Sequence, residues 1–480
     1  MQDPTLINAT VRLSKFLRVS DIVTDAAAPF SHALSDLILA SAQSVQAVYE
    51  GRSLSDVLAQ IPASSRGATQ SITFHVMRHL GLALEVRQML VEKTPPIPLL
   101  DALLQVSICL LDTAMQAEQQ VENNEPVRAD WPVYAVHTVV NEAVNAVATH
   151  RQMQSFKGLV NGVLRRFTRE RDTILTRARS NPEARWNYPN WWVRRVKQAY
   201  PDQWKALLGA ADLPPPMTLR VNTRLCSVEK CLAEFEQASI EATPVGAAGL
   251  ILRQPRSVHE LPGFAQGWWS VQDAAAQMAA PLLAVQPGMR VLDACAAPGG
   301  KTAHLLELAD IDLLALDSDP GRLERVQQNL ERLNLVSDRV RLLAHDATKL
   351  DAWWDGQPFD AILADVPCTA SGVVRRHPDI RWLRREADIA RTASLQRRIV
   401  KALWKTLKPG GRFLYVTCSI FPQEGEAQAQ WLLEQHADAV RLDAPGQILP
   451  LSENGQAGPY DGFFFALFTK QPGVVNNNAS

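Results

Sequence analysis

Cysteine is scarce in this chain. Six residues in 480, scattered and at no metal-ligand spacing, form neither a disulfide framework nor a metal cluster. Cys226 and Cys231 have no matching Cys/His pair, so no metal site is expected. An excess of either charge is missing too. Lys and Arg total 49 against 50 Asp and Glu, so no polyanion partner is advertised and any nucleic-acid contact rests on local patches. No apolar run approaches the roughly 18 uninterrupted residues of a membrane span. Met1-Gln2-Asp3-Pro4 lacks the basic-then-apolar layout of a secretory signal. Internal repeats and long low-complexity tracts are not found. The expectation is a cytoplasmic protein with reduced thiols, divided into roughly two or three domains because its length exceeds one core.

To about Glu170 the chain reads as helical. Phe30 to Val48, Ser71 to Glu92, Leu99 to Ala117 and Tyr134 to Thr149 repeat apolar residues at three-to-four spacing, with Pro95-Pro96-Ile97-Pro98 as a break. A region rich in Trp and Pro follows, holding a helix from Trp191 to Gly209. Strands are then expected at Met217 to Asn222, near Gly249 to Leu252 and at Trp268 to Val271, with a helix from Val228 to Gln237. From Asp273 strands and helices alternate. Strand-like runs are Arg290 to Ala294, Leu313 to Asp317, Val340 to Ala344, Phe359 to Ala364, Gly411 to Thr417 and Phe463 to Thr469. Helix-like runs between them include Gly321 to Leu333 and Thr392 to Leu407. Such alternation predicts a mostly parallel sheet with helices on both faces, a Rossmann-like α/β domain. The fold class is thus multidomain: an all-α bundle over 1–170, a small α+β linker unit over 171–272, the α/β domain over 273–471 and a tail over 472–480.

Three strand-to-loop junctions carry chemistry: Asp293-Ala294-Cys295-Ala296-Ala297-Pro298-Gly299-Gly300-Lys301-Thr302, Asp365-Val366-Pro367-Cys368 and Thr417-Cys418-Ser419. In an open α/β sheet, ligands gather at the carboxyl ends of strands. The first junction brings backbone close to a ligand and opens a helix towards it. A phosphate-cradling loop needs glycine where Cys295 stands, and a dinucleotide fingerprint needs a G-x-G-x-x-G that is absent. A nucleoside without phosphates remains. Asp317 is placed for ribose hydroxyls and Asp346 for an adenine edge, and S-adenosylmethionine fits.

Two cysteines in matching positions suit covalent chemistry on an electrophilic ring carbon. Carbon 5 of cytosine is too poor a nucleophile to attack a methyl sulfonium until a thiolate adds at carbon 6. That reaction requires a nucleophilic cysteine, an acidic group near the ring nitrogen and a base. Asp365 is placed for the base edge, and either Cys418 or Cys368 could attack. The basic run Arg375-Arg376-His377 and beyond would hold a phosphate backbone beside a flipped base.

Together these motifs resemble the Nol/Nop/Sun family of RNA cytosine-5 methyltransferases, and within it the bacterial small-subunit rRNA branch. Val271 to Gln277 resembles the family's lead-in to the cofactor domain. Val140 to Val144 and Phe156 to Arg166 resemble the NusB-type RNA-binding module. The resemblance covers nearly the whole chain. It implies Cys418 as nucleophile and Cys368 in product release. It also implies Cys295, Ala296, Ala297, Pro298, Gly299, Gly300, Lys301, Asp317, Asp346 and Asp365 around S-adenosylmethionine. Its substrate would be cytosine 967 of 16S rRNA, presented naked or at an early assembly stage to a monomeric enzyme. Lys157, Arg165 and Arg166 are candidate RNA contacts of the helical part. They also motivate a competing reading as a non-catalytic RNA-binding factor; methylation of tRNA or DNA is a third.

Overall fold

The computed structural model describes residues 32–472. Phe30, the start of the first expected helix, lies outside the described residues, as do Met1 to Pro4 and 473–480 of the expected tail.

Residues Met1–Asn187 and Tyr188–Ser480 divide into two compact units. In the first, the long helices are Leu34–Tyr49, Ala63–Leu90, Pro98–Glu122, Val136–Thr149 and Lys157–Ala178. The last of these runs through position 170, where the sequence suggested a boundary. Pro98–Glu122 starts on a proline at its first turn, where the missing N–H costs nothing. It is long and apolar enough to cross a membrane. Asp101, Gln105, Ser107 and Asp112 interrupt it, however, and Leu100, Leu103, Leu104, Val106, Leu110 and Leu111 are all buried. It is the core helix of the bundle, apolar around its circumference because neighbours cover it.

In the second unit the expected helix over Trp191 to Gly209 is two helices, Asn190–Ala199 and Trp204–Ala210. Pro201 breaks it, because proline lacks the donor and pushes its predecessor out of the helical region. A small antiparallel sheet follows: β1 (Met217–Val221), β2 (Ala242–Val245), β3 (Gly249–Leu252) and β4 (Trp269–Val271), in the order β2-β3-β1-β4. The helix Val228–Gln237 covers it, and Cys226, Cys231, Phe235 and Trp269 fill the core between.

The larger sheet comprises β5 (Arg290–Asp293), β6 (Asp312–Asp317), β7 (Val340–Ala344), β8 (Phe359–Asp365), β9 (Leu407–Thr417), β10 (Ala439–Ile448) and β11 (Phe463–Lys470), in the order β10-β11-β9-β8-β5-β6-β7. The run from β9 to β7 is parallel; β11 is antiparallel to β9 and β10 antiparallel to β11. Side chains alternate between faces. Val291, Leu313, Leu363 and Val416 join the helices Ala279–Leu283, Gly300–Leu308 and Pro320–Arg332. Leu292, Leu314, Ile362 and Tyr415 join Glu386–Thr406 and Glu426–Gln435 on the other face. The chain leaves β5 towards β6 and β7, then returns to β8 on the opposite side. The crevice at the ends of β5 and β8 is therefore the topological switch point, where α/β sheets bind ligands.

Candidate active site

A cavity of about 460 Å³ opens at this switch point. It is lined by residues just beyond five strands: Cys295 and Pro298 after β5, Asp317 and Ser318 at β6, Asp346 after β7, Asp365 and Cys368 at β8, and Cys418 after β9. Each side chain is there for one reason, namely that a parallel sheet ends all its strands on one side. The helix Glu386–Thr406 adds an apolar wall through Leu395 and Ile399.

Gly299 has φ +96°, a left-handed value that glycine adopts without penalty, and a Cβ there would lie 3.0 Å from Val326. The loop is held from behind. Asp317 is buried, and its Oδ2 accepts from the backbone N–H of Ala297 at 3.1 Å while Oδ1 accepts from that of Asp319 at 3.1 Å. Thr302 Oγ1 donates to Asp293 Oδ2 at 2.7 Å. Burial pushes the Asp293 carboxyl up to about 7, against the pull of that hydrogen bond. Asp346 is exposed, and the backbone N–H and hydroxyl of Thr348 hold its carboxyl below the usual range.

Cys368 and Cys418 place their sulfurs 3.4 Å apart, both partly exposed to the cavity. The hydrogen bond with Cys418, then burial, raises the Cys368 thiol well above its ordinary value. Burial does the same to Cys295. Lys301 Nζ donates to Asp365 Oδ2 at 2.6 Å and sits 5.3 Å from the Phe463 ring centre. Burial alone would lower the Lys301 ammonium, but the facing Asp365 carboxylate more than offsets it and the net shift is upward. The lining suits a phosphate-free cationic nucleoside: Asp317, Asp346 and Asp365 line the cavity with Cys295, Ala297 and Pro298 of the β5 loop, whereas Gly299, Gly300 and Lys301 are not among the lining residues.

The basic run is placed differently from its expected role. Arg375 is buried and donates to the carbonyls of Pro214 and Gly458 at 2.7 and 2.9 Å. Arg376 pairs with Asp461 and with Asp273, the latter at 2.9 Å, and donates to Pro216 O at 3.1 Å. Their guanidiniums tie the catalytic domain to the chain leading into the small sheet and do not face a phosphate backbone. His377 is exposed. Lys157, Arg165 and Arg166 are exposed on their helix in the first unit, Arg165 bonded to Asn161 and Arg166 paired with Glu170.

Two positions escaped the sequence reading. Arg220 on β1 is fully buried, forks onto both Glu307 oxygens at 2.9 and 2.6 Å, and donates to Gly300 O at 2.7 Å. Its partner lies 87 residues away, and no local signal announces such a pair. Glu424 is also fully buried, six residues past Cys418. An acidic residue closing a turn just after Thr-Cys-Ser was the available clue.

Comparison with known proteins settles the family. Residues 280–469 match the profile of the 16S rRNA methyltransferases RsmB/F, and residues 188–259 that of the ferredoxin-like domain of RsmF/B-like methyltransferases. The ribosomal RNA small subunit methyltransferase B of Vibrio cholerae is 45% identical over 343 residues, 70% of this chain and 77% of that protein. The chain belongs to the ribosomal RNA small subunit methyltransferase B family. It is an S-adenosylmethionine-dependent methyltransferase with a helical N-terminal region, a ferredoxin-like domain and a Rossmann-like catalytic domain. Among solved structures, that of PH0851 superposes with a TM-score of 0.71 at 25% identity, covering 91% of this chain and 99% of its own. NSun6 from Pyrococcus horikoshii, solved with the S-adenosylmethionine analogue SFG, shares the fold at TM-score 0.52 and 21% identity, over 59% of this chain and 99% of its own.

Proposed function

We propose that this enzyme methylates carbon 5 of a cytosine in 16S rRNA, by resemblance cytosine 967, with Cys418 as the covalent nucleophile. The observation that carries the reading is the pair of thiols, 3.4 Å apart, in one cavity with Cys295, Ala297 and Pro298 of the β5 loop. S-adenosylmethionine, when bound, supplies an electrophilic methyl group, and the backbone of 295–300 with Asp317 and Asp346 would hold it. Cys418 Sγ adds to carbon 6 of the flipped base, which makes carbon 5 nucleophilic. Asp365, held by Lys301, meets the base edge at the ring nitrogen. After carbon 5 gains its methyl a base takes its proton, the carbon 6–sulfur bond breaks with its electron pair returning to the Cys418 sulfur, and the carbon 5–carbon 6 double bond of the aromatic ring returns. Cys368 assists that release.

The exposed Lys157, Arg165 and Arg166 on a NusB-like helical domain supply RNA contacts. Further parts of the proposal are a division near 272, a cytoplasmic monomer, and rRNA that is naked or early in assembly. The test is methyl transfer to naked small-subunit rRNA. Cys418→Ala should be inactive, and wild-type turnover in it would reject the nucleophile. Cys368→Ala should accumulate a covalent RNA adduct that survives denaturing electrophoresis; its absence would count against the release role.

A further inference from the structure

The sulfur pair belongs to two different strand ends, and something has to fix their separation. Between the segments lies the side chain of Glu424, with no exposure at all. Its Oε1 accepts from the backbone N–H of Thr369 at 2.8 Å, from Thr392 Oγ1 at 2.6 Å and from Gln396 Nε2 at 3.4 Å. Its Oε2 accepts from Ser419 Oγ at 2.7 Å and from Thr369 Oγ1. Thr369 follows Cys368 and Ser419 follows Cys418. One carboxylate therefore grips the residue after each thiol. Its own backbone carbonyl accepts from Tyr415 Oη at 2.9 Å and from Thr417 Oγ1 at 3.3 Å, so the turn is fastened to β9 as well.

A purely structural role explains this poorly. Burying a carboxylate is expensive, and no ion pair offsets Glu424 among the described residues. An apolar side chain would fill the space at lower cost. Glu424 differs in ending in two polar atoms, which lets it bind both loops at once. The donors come from the two thiol segments and from the helix Glu386–Thr406, whose Gln396 also donates to Pro367 O at 2.9 Å.

We propose that Glu424 is a positioning residue whose buried carboxylate clamps the Cys368 and Cys418 segments together and so sets both sulfurs against one ring. The proposal rests on the two-thiol reading above. Because about 1 Å of misplacement can cost about 100-fold in rate, loosening this clamp should be felt in turnover and not in cofactor binding.

The test uses the full-length enzyme. Wild type is compared with Glu424→Ala, Glu424→Asp and Glu424→Gln by kcat and KM on 16S rRNA, S-adenosylmethionine affinity and thermal midpoint. A fifth readout is the rate at which diamide closes the Cys368–Cys418 disulfide, followed by peptide mass mapping. Diamide takes two electrons and two protons from the thiols and becomes the hydrazine, so that rate reports the sulfur spacing independently of methyl transfer. Glu424→Ala should lower kcat about 100-fold and slow the disulfide about tenfold, with KM and cofactor affinity within about threefold. Glu424→Gln can keep an oxygen towards the Thr369 N–H and turn its amide towards the Ser419 and Thr369 hydroxyls, and should rescue both rates. If the alanine variant does not fold, Glu424→Asp, which keeps the charge and loses reach, should show the same split. Wild-type kcat and disulfide rate in the Ala or Asp variant, or equal loss in the Gln variant, would overturn the clamp. Activity in Cys418→Ala would instead sink the two-thiol reading, leaving the disulfide rate to decide on Glu424.

Discussion

Replacing Arg220 by methionine removes a guanidinium that is 0% exposed from a Glu307 carboxylate that is 2% exposed. Methionine matches the stem and leaves Glu307 without its fork. Breaking a buried pair from one side costs about 3–5 kcal/mol, because the surviving charge stays in a low-dielectric site. At an m-value of about 3 kcal/mol per M urea, the midpoint should fall by about 1–1.7 M. Trp268 and Trp269, in the same unit, give a fluorescence readout. The deficit should depend on pH. Burial raises the Glu307 carboxyl and Arg220 pulls it back, so without Arg220 it rises further. A folded value above the unfolded one, about 4.3, means the variant suffers little below that pH and loses stability as pH climbs through the folded value. Arg220→Met with Glu307→Leu should recover most of the loss, since an apolar pair of similar volume is often neutral. Its cofactor affinity should stay about fivefold low for want of the bond to Gly300 O. A single variant within about 0.3 M of wild type, or a double variant no better than the single, would refute the reasoning.

Asp293→Asn should flatten the pH dependence of stability. The raised Asp293 carboxyl, about 7, contributes stability that is complete below its unfolded value and lost as pH rises through about 7. An amide oxygen can still accept from Thr302, so thermal midpoints of the variant between pH 4 and 8 should lose that decline. Gly372→Ala should destabilise by about 1–3 kcal/mol or more, because a Cβ there would lie 2.0 Å from Gly462 O. Since the Gly372 N–H also donates to Cys418 O at 2.9 Å, methyl transfer should fall with it.

The larger sheet was legible because its parallel strands are short, mostly apolar runs separated by helical segments. Val340 to Ala344 matches β7, and Arg290 to Ala294 and Phe359 to Ala364 differ from β5 and β8 by one residue. The strands that escaped are of another kind. β10 carries Pro445 and Gly446, is half-buried at the sheet edge and shifts register between Leu442 and Gly446, so no alternation survives in its sequence. β2 carries Pro244, which an edge strand tolerates and a sequence reading takes for a turn. β9 begins at Leu407, upstream of the Pro409-Gly410 signal that suggested its start, with Gly410 at φ +78°.

At the site, the cavity residues were legible because strand ends are local in sequence. The supports were not. Arg220 with Glu307 and Glu424 with Thr369 act across 87 and 55 residues, and nothing in either segment marks its counterpart. Arg375 and Arg376 misled for the converse reason: a run of cations looks the same whether its partners are solvent, phosphate or distant carbonyls.

That last arrangement has a practical side. Anyone hoping to retarget this enzyme to another transcript would be drawn to the Arg-Arg-His-Pro stretch as a recognition element to shuffle. With the donors of Arg375 and Arg376 committed to Pro214, Pro216, Gly458, Asp273 and Asp461, such libraries would be enriched in misfolded clones before any selectivity emerged. Randomisation is better spent on the exposed Lys157, Arg165 and Arg166, the proposed RNA contacts of the first unit.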